Sequence, residues 1–248
     1  METSLHRDLK LVYASDASKV EVTLAGYRID AIDSEGALVE VQHAGLGSIR
    51  DKIRDLCKSH RVRVIKPLIR NKRIENSDPK TGTQKTTRKS PKHACFLDIF
   101  PELLHFTSVF PHANLTLEVP LVDVVEIREP RPHRYRRKKQ FRIVDQRLDE
   151  LGESRSFKTK QDLWDLLEIP TPADPFGTAE LSQWLERPRW FAQQIAYVLD
   201  RCGVIKQVGK SGNSKQYKKG RRSRRVVAPK SLQQNSTEFD VRLRRKAL

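Results

Sequence analysis

The stretch YRIDAIDSEGALVEVQ, from Tyr27 to Gln42, decides how the first half of this chain is read. Ser34, Glu35 and Gly36 form a turn between two strand-like runs, Tyr27 to Asp33 and Ala37 to Gln42. Just upstream, Lys19 to Leu24 alternates valines with polar residues until Gly26 breaks the run, so a hairpin precedes the turn and three consecutive antiparallel strands result. Further out, Leu5, Leu9, Leu11 and Val12 recur near helical spacing behind the capping residue Thr3, which predicts a short opening helix. On the other side, Ser48 is expected to cap a helix whose Ile49, Ile53, Leu56 and Cys57 recur at i, i+4, i+7 and i+8. The strand Arg61 to Ile65 follows, and Pro67 ends it. Helix, three strands, helix and strand are complete within the first seventy residues.

With a strand period of two, Glu40 and Gln42 project from one face, and Asp30 on the antiparallel neighbour can reach it. Two carboxylates so placed suit a hard cation such as Mg²⁺ (or Mn²⁺), with a backbone carbonyl and waters completing the shell. A cation there would polarise a phosphodiester and help generate hydroxide for attack.

Asp30 on one strand and Glu40-Val41-Gln42 on the next, followed by an amphipathic helix and a strand, resemble the PD-(D/E)XK nuclease superfamily, the fold of restriction endonucleases and Holliday-junction resolvases. The resemblance covers about residues 1 to 70. It implies an α/β domain with a restriction-endonuclease-like mixed sheet flanked by helices. It makes Asp30 and Glu40 metal ligands, Val41 the donor of a carbonyl ligand, and Gln42 the occupant of the usual lysine position. Glu2 or Glu21 would correspond to an accessory acid of some members. A neutral amide at Gln42 cannot supply a lysine's charge, and Lys52, at the edge of the apolar helix face, is the candidate for a displaced ammonium.

Residues 71–94 turn to Lys, Thr, Ser, Pro and Gly without apolar period, and read as a mobile basic insert. Packed sequence resumes at Phe96, with a short helix around Pro101 to Phe106 and a long strand from Leu115 to Ile127, so the first domain is expected to close near residue 129. Residues 130–149 read as a basic linker. Its Arg136, Arg137, Lys138 and Lys139, interleaved with Tyr135 and Phe141, are suited to lie along phosphates.

Residues 150–219 carry a second pattern. Thr159 and Asp162 resemble a capping box ahead of Leu163, Trp164, Leu166 and Leu167. Thr178 caps a second helix with Leu181, Trp184 and Leu185. Pro188 opens a third at N1, which runs to Cys202 with Gly203 as its left-handed C′ residue. A basic hairpin follows, from Val204 to Val208 and from Lys215 to Lys218. The whole resembles a small winged helix-turn-helix domain. Phe191, Ile195, Val198, Leu199 and Cys202 share one face of the third helix. Arg187, Arg189, Trp190, Gln193, Gln194 and Tyr197, with Lys206, Lys210, Lys215 and Lys218 on the hairpin, are the candidate nucleic-acid contacts. From residue 220 onward a basic, disordered tail is expected.

Composition agrees with a polyanionic partner. Lys and Arg number 48 against 31 Asp and Glu, a net charge of +17, and each phosphate neutralised releases counterions. Residues 1 to 70 hold 12 basic and 10 acidic side chains, so nearly all of the excess lies downstream. Three cysteines without CxxC spacing argue against a disulfide framework or zinc ribbon. No apolar run approaches a bilayer span, so no membrane partner is expected, and the compartment reads as cytoplasmic, nucleoid-associated in a bacterium. The function expected is a Mg²⁺-dependent DNA endonuclease or resolvase, compatible with a homodimer. The alternatives are a non-catalytic DNA-binding protein on an inactive nuclease scaffold and an RNA-binding factor.

Overall fold

The computed structural model describes residues 3–16, 19–77, 84–130 and 141–220. Helix α1 (Ser4–Tyr13) starts where the Thr3 hydroxyl accepts the His6 amide, and it buries Leu5, Leu9 and Lys10. Eight strands then form one mixed sheet: β1 (Val20–Leu24), β2 (Tyr27–Ile32), β3 (Leu38–Val41), β4 (Val62–Ile65), β5 (Leu68–Ser77), β6 (Gln84–Lys89), β7 (Leu115–Pro130) and β8 (Phe141–Phe157). The first three pair antiparallel, whereas β3 with β4 and β4 with β7 run parallel. Parallel neighbours need crossovers. A 3-10 turn, Leu46–Ile49, running into α2 (Arg50–Leu56) supplies one, and α3 (Ile99–Leu103) lies on the second.

Helices flank both faces. On one, Leu5 and Leu9 of α1 pack on Ala31, Val39, Val41, Ile65, Val122 and Val124. On the other, Ile53, Leu56, Ile99, Phe100, Leu103 and Phe106 cover Ile29, Leu38, Val62, Val64, Leu115 and Leu117. Strand β7 is long enough to change partners, pairing with β4 from Leu115 and with β5 from Leu121, while β8 runs antiparallel beside it throughout.

Two segments differ from expectation. Residues 71–94 carry the end of β5 and all of β6, and 141–149 of the expected linker belong to β8. Strands β5 and β8 are tied to β7 by charged and polar cross-strand contacts, and β6 holds no apolar residue at all, which is why these stretches lack the alternation that betrays a strand. Arg70 clasps Asp123 with two bonds of 2.9 Å, and the buried Glu126 on β7 accepts from Lys72 of β5 and Gln146 of β8, each at 2.8 Å. The tip 131–140, with Arg136, Arg137, Lys138 and Lys139, and the tail 221–248 lie outside the described residues.

Beyond β8 come α4 (Lys160–Asp165), α5 (Thr178–Trp184), α6 (Arg189–Arg201) and the hairpin β9 (Ile205–Ser211) and β10 (Ser214–Lys219). Thr159 and Asp162 do form the reciprocal cap of α4. The caps of the next two helices sit one residue from expectation, at Gly177 for α5 and at Pro188 for α6, and Ser48 caps no helix. Phe157, Leu163, Trp164, Phe176, Leu181, Ile195 and Leu199 join the same buried cluster as Phe100 and Phe106, so the helical unit and the sheet share one core. The Cys202 thiol closes the seam by donating to the Phe110 carbonyl at 3.4 Å. Among the described residues, no helix is long and apolar enough to cross a membrane.

Candidate functional site

The ladder between β2 and β3 is short, pairing Ala31 with Val39 and Ile32 with Leu38. One step further along, Asp30 stands across from Glu40. Here the backbone of β3 has turned to β4, and the Asp30 Oδ2 accepts the Val41 N–H at 2.9 Å. Its other oxygen faces α1, with His6 Nε2 at 3.4 Å and Lys10 Nζ at 3.6 Å, a pair set on one helix face by their i, i+4 spacing. Burial alone would raise the Asp30 pKa. The His6 contact, the Val41 N–H and Lys10 outweigh it, and the carboxyl is held below its ordinary value.

Glu40 is buried and points the other way electrostatically. Burial and the neighbouring Asp30 charge push its carboxyl above its ordinary pKa, against the pull of Lys52. Lys52, from α2, reaches across to donate to Glu40 Oε2 and to the Arg28 carbonyl, both at 2.6 Å. Gln42 does not join this group. Its amide donates to the Gly45 carbonyl at 3.0 Å and the Ser48 hydroxyl at 2.7 Å, which ties it into the turn that leads to α2. The structure therefore brings together Asp30, Glu40, Val41 and Lys52, and sets Gln42 aside. Glu21 binds Lys10 at 2.8 Å and pairs with Arg28, while Glu2 lies outside the described residues.

Sequence reasoning missed His6 and Lys10, because a lysine between Leu9 and Leu11 reads as a solvent-facing residue on an amphipathic helix. The available signal was the polar pair at i, i+4 on the face that carries Leu5 and Leu9. Another cation, Lys66 at the end of β4, is buried and donates to the His43 and Ala44 carbonyls at 2.9 Å, with Glu102 at 3.3 Å. The His43 imidazole is pushed below its ordinary pKa by burial, then by the charges of Lys66 and His6. Each carboxylate of the pair thus has one ammonium group against it, Lys10 on Asp30 and Lys52 on Glu40. Among the described residues, no three His, Cys, Asp or Glu side chains converge in metal-ligand geometry.

A second candidate surface is built on α6. Phe191, Ala192, Ile195, Ala196, Val198 and Leu199 are buried, leaving Arg189, Trp190, Gln193, Tyr197 and Arg201 exposed. Gln194 instead turns half inward, its carbonyl oxygen buried without a hydrogen-bond partner. Arg189 donates to Ser214 at 3.2 Å and so pins the hairpin to the start of the helix, while Arg187 reaches the Cys95 sulfur at 3.3 Å. On the hairpin, Lys210 lies opposite Lys215 and Lys206 opposite Lys218. Like charges placed across a ladder repel, and among the described residues none of these four lysines forms an ion pair. The hairpin therefore presents a cationic surface.

The fold and these two surfaces define a mixed α/β protein with a carboxylate–lysine site where the β2–β3 ladder ends and a basic helix–hairpin face on the same core. Residues 3–158 match the family described as "Domain of unknown function (DUF8091)", and the chain belongs to that family. An "Uncharacterized protein" of Treponema pallidum (strain Nichols) is 32% identical over 222 residues, covering 88% of this chain and 85% of the relative. That span extends past Lys158 into the helical unit. No solved structure matches the chain.

Proposed function

We propose that this protein binds DNA and cleaves it as a Mg²⁺- or Mn²⁺-dependent endonuclease or resolvase, with a restriction-endonuclease-like sheet and a winged helix-turn-helix unit. The observation that carries the reading is Lys52 on Glu40, directly beside Asp30: two carboxylates and an ammonium where the β2–β3 ladder ends, the lysine supplied by α2 in place of Gln42. The donor chemistry fits a hard dication. Asp30 and Glu40 offer anionic oxygens on neighbouring strands, Glu40 is destabilised by the charge of Asp30, and the Val41 carbonyl is the next oxygen in line. Asp30, Glu40 and Val41 would hold the cation, and water would complete its shell. When bound, the cation supplies polarisation of the phosphodiester and a more acidic attacking water.

The chain's own residues supply the rest. Lys52 can exchange its Glu40 contact for a phosphate oxygen, and so carry the positive charge that Gln42 cannot. His6 and Lys10 hold Asp30 ionised and fix its orientation. The basic face of α6 and the β9–β10 hairpin supports duplex or strand binding through phosphate contacts. The purified protein is to be incubated with supercoiled, linear and branched DNA, with Mg²⁺ or Mn²⁺ and with chelator. Cleavage that is lost in Asp30→Ala and Glu40→Ala is expected. No cleavage, or cleavage undiminished in both variants, overturns the reading.

A non-catalytic DNA-binding scaffold is the second reading. It is favoured by the ammonium groups that already neutralise both carboxylates and by the want of a third acidic or imidazole ligand among the described residues. Tight, salt-sensitive DNA binding without divalent-metal binding would select it, and competition with RNA separates an RNA-binding role.

A further inference from the structure

Trp190 is 60% exposed and Tyr197 49% exposed, although both belong to a helix whose other large apolar residues are buried. They are seven residues apart, which on an α-helix places them on one face and roughly 10 Å apart along the axis. Gln193 lies between them on that face, and Arg201 follows one turn after Tyr197. Trp190 is not a loose side chain, since its indole packs edge-on against the Phe191 ring with centroids 5.6 Å apart and planes at 85°. The pinned hairpin alongside adds Lys206, Lys210, Lys215 and Lys218. Residues 186–219 hold eight Lys and Arg but only two acids, Glu186 and Asp200. An aromatic strip bordered by Lys206, Lys210, Lys215 and Lys218, which form no ion pair among the described residues, matches a ligand that offers both ring planes and phosphates.

A paired duplex presents base edges in its grooves, which are read by hydrogen-bonding side chains. Ring faces become available only where bases are unpaired, and there aromatic side chains stack on them. We infer that α6 binds unpaired bases, with Trp190 and Tyr197 as stacking platforms and the hairpin lysines on the flanking phosphates, so that the preferred ligand is DNA with a single-stranded segment. The inference rests on the nucleic-acid reading proposed above and names the ligand class of that same face.

The test is fluorescence anisotropy of the full chain with labelled single-stranded DNA, a blunt duplex of the same sequence, and that duplex carrying a single-stranded flap, at one fixed salt concentration. Single-stranded and flapped DNA are expected to bind more tightly than the blunt duplex. Trp190→Ala and Tyr197→Ala should each weaken binding to both by about tenfold, with blunt-duplex affinity changed by no more than about twofold, and Trp190→Phe should restore most of the loss. Lys210→Ala with Lys215→Ala should weaken all three ligands and flatten the salt dependence. Both aromatics are exposed, so an unchanged thermal midpoint verifies the fold of each variant. Equal affinity for all three ligands, or an equal loss on all three in Trp190→Ala, overturns the stacking inference while leaving nucleic-acid binding intact. Failure to bind any of them overturns the nucleic-acid reading itself.

Discussion

Val41 donates its backbone N–H to the Oδ2 of Asp30 at 2.9 Å, so a side-chain carboxylate stands where the next rung of the β2–β3 ladder would be. The acid therefore has a structural duty as well as any chemical one. Asp30→Ala strands that N–H and is expected to cost about 1–3 kcal/mol in urea unfolding. Asp30→Asn keeps an acceptor and should cost less than half as much, yet both variants should abolish metal-dependent cleavage. Equal stability losses would show that the Val41 bond is not what matters.

Glu40 gives a pH dependence of the opposite sign from an ordinary ion-paired acid. Burial and the charge of Asp30 hold its carboxyl above its ordinary pKa in the folded protein. The folded state therefore holds that proton more tightly than the unfolded chain. The resulting stabilisation is present below the unfolded value and is lost as pH rises through the folded one. Glu40→Gln should accordingly raise the thermal midpoint at neutral pH more than at pH 4, even as it removes cleavage. A lower midpoint at neutral pH would mean that the Lys52 contact outweighs the burial cost.

Glu126 behaves conventionally. It is 1% exposed and accepts from Lys72, Arg128 and Gln146, and these bonds hold its carboxyl below its ordinary value against the cost of burial. Its contribution is complete above the unfolded value of 4.5 and is lost as acid protonates it in the folded state. Lys72→Met is expected to cost about 3 kcal/mol at neutral pH, measured by denaturant unfolding, and to cost less in acid. A loss that is the same at both pH values would contradict this account.

Leu9 is fully buried between α1 and the sheet. Leu9→Ala should cost about 2–5 kcal/mol by urea unfolding, whereas the exposed neighbour Leu11, at 54% exposure, should tolerate the same change within about 0.5 kcal/mol. A comparable loss at both positions would mean that α1 does not pack as described.

The first seventy residues were legible because Leu5 and Leu9, the valines of β1, and Ile53 and Leu56 bury one face each, and that burial writes its period into the chain. That Asp30 and Glu40 stand on neighbouring antiparallel strands was legible from the strand order, although Asp30 turns to His6 and Lys10 of α1 and Glu40 to Lys52 of α2. Gln42 was not, because alternation ends with the strand, and the turn at Gly45 and Ser48 captures the amide one residue past Val41. Strand β8 was hidden because partners such as Glu129 and Arg142, or Glu126 and Gln146, specify it through pairing across the ladder, which a single run of sequence does not display, and β6 because QKTTRK holds no apolar residue whose period could show it. The outward face of α6 was readable down to Trp190 and Tyr197, but the packing of α6 on α3 was not, since it joins segments far apart in the chain.

Lys158 and Thr159 alone separate the end of β8 from α4, and Cys202 at the far end of α6 is bonded back to Phe110. A molecule joined that way behaves as a locked calliper. If α6 grips a strand as proposed, that strand would meet the site that holds Asp30 at a constant gap, so any cut would fall at a set offset from the point of grip, whatever the sequence in between.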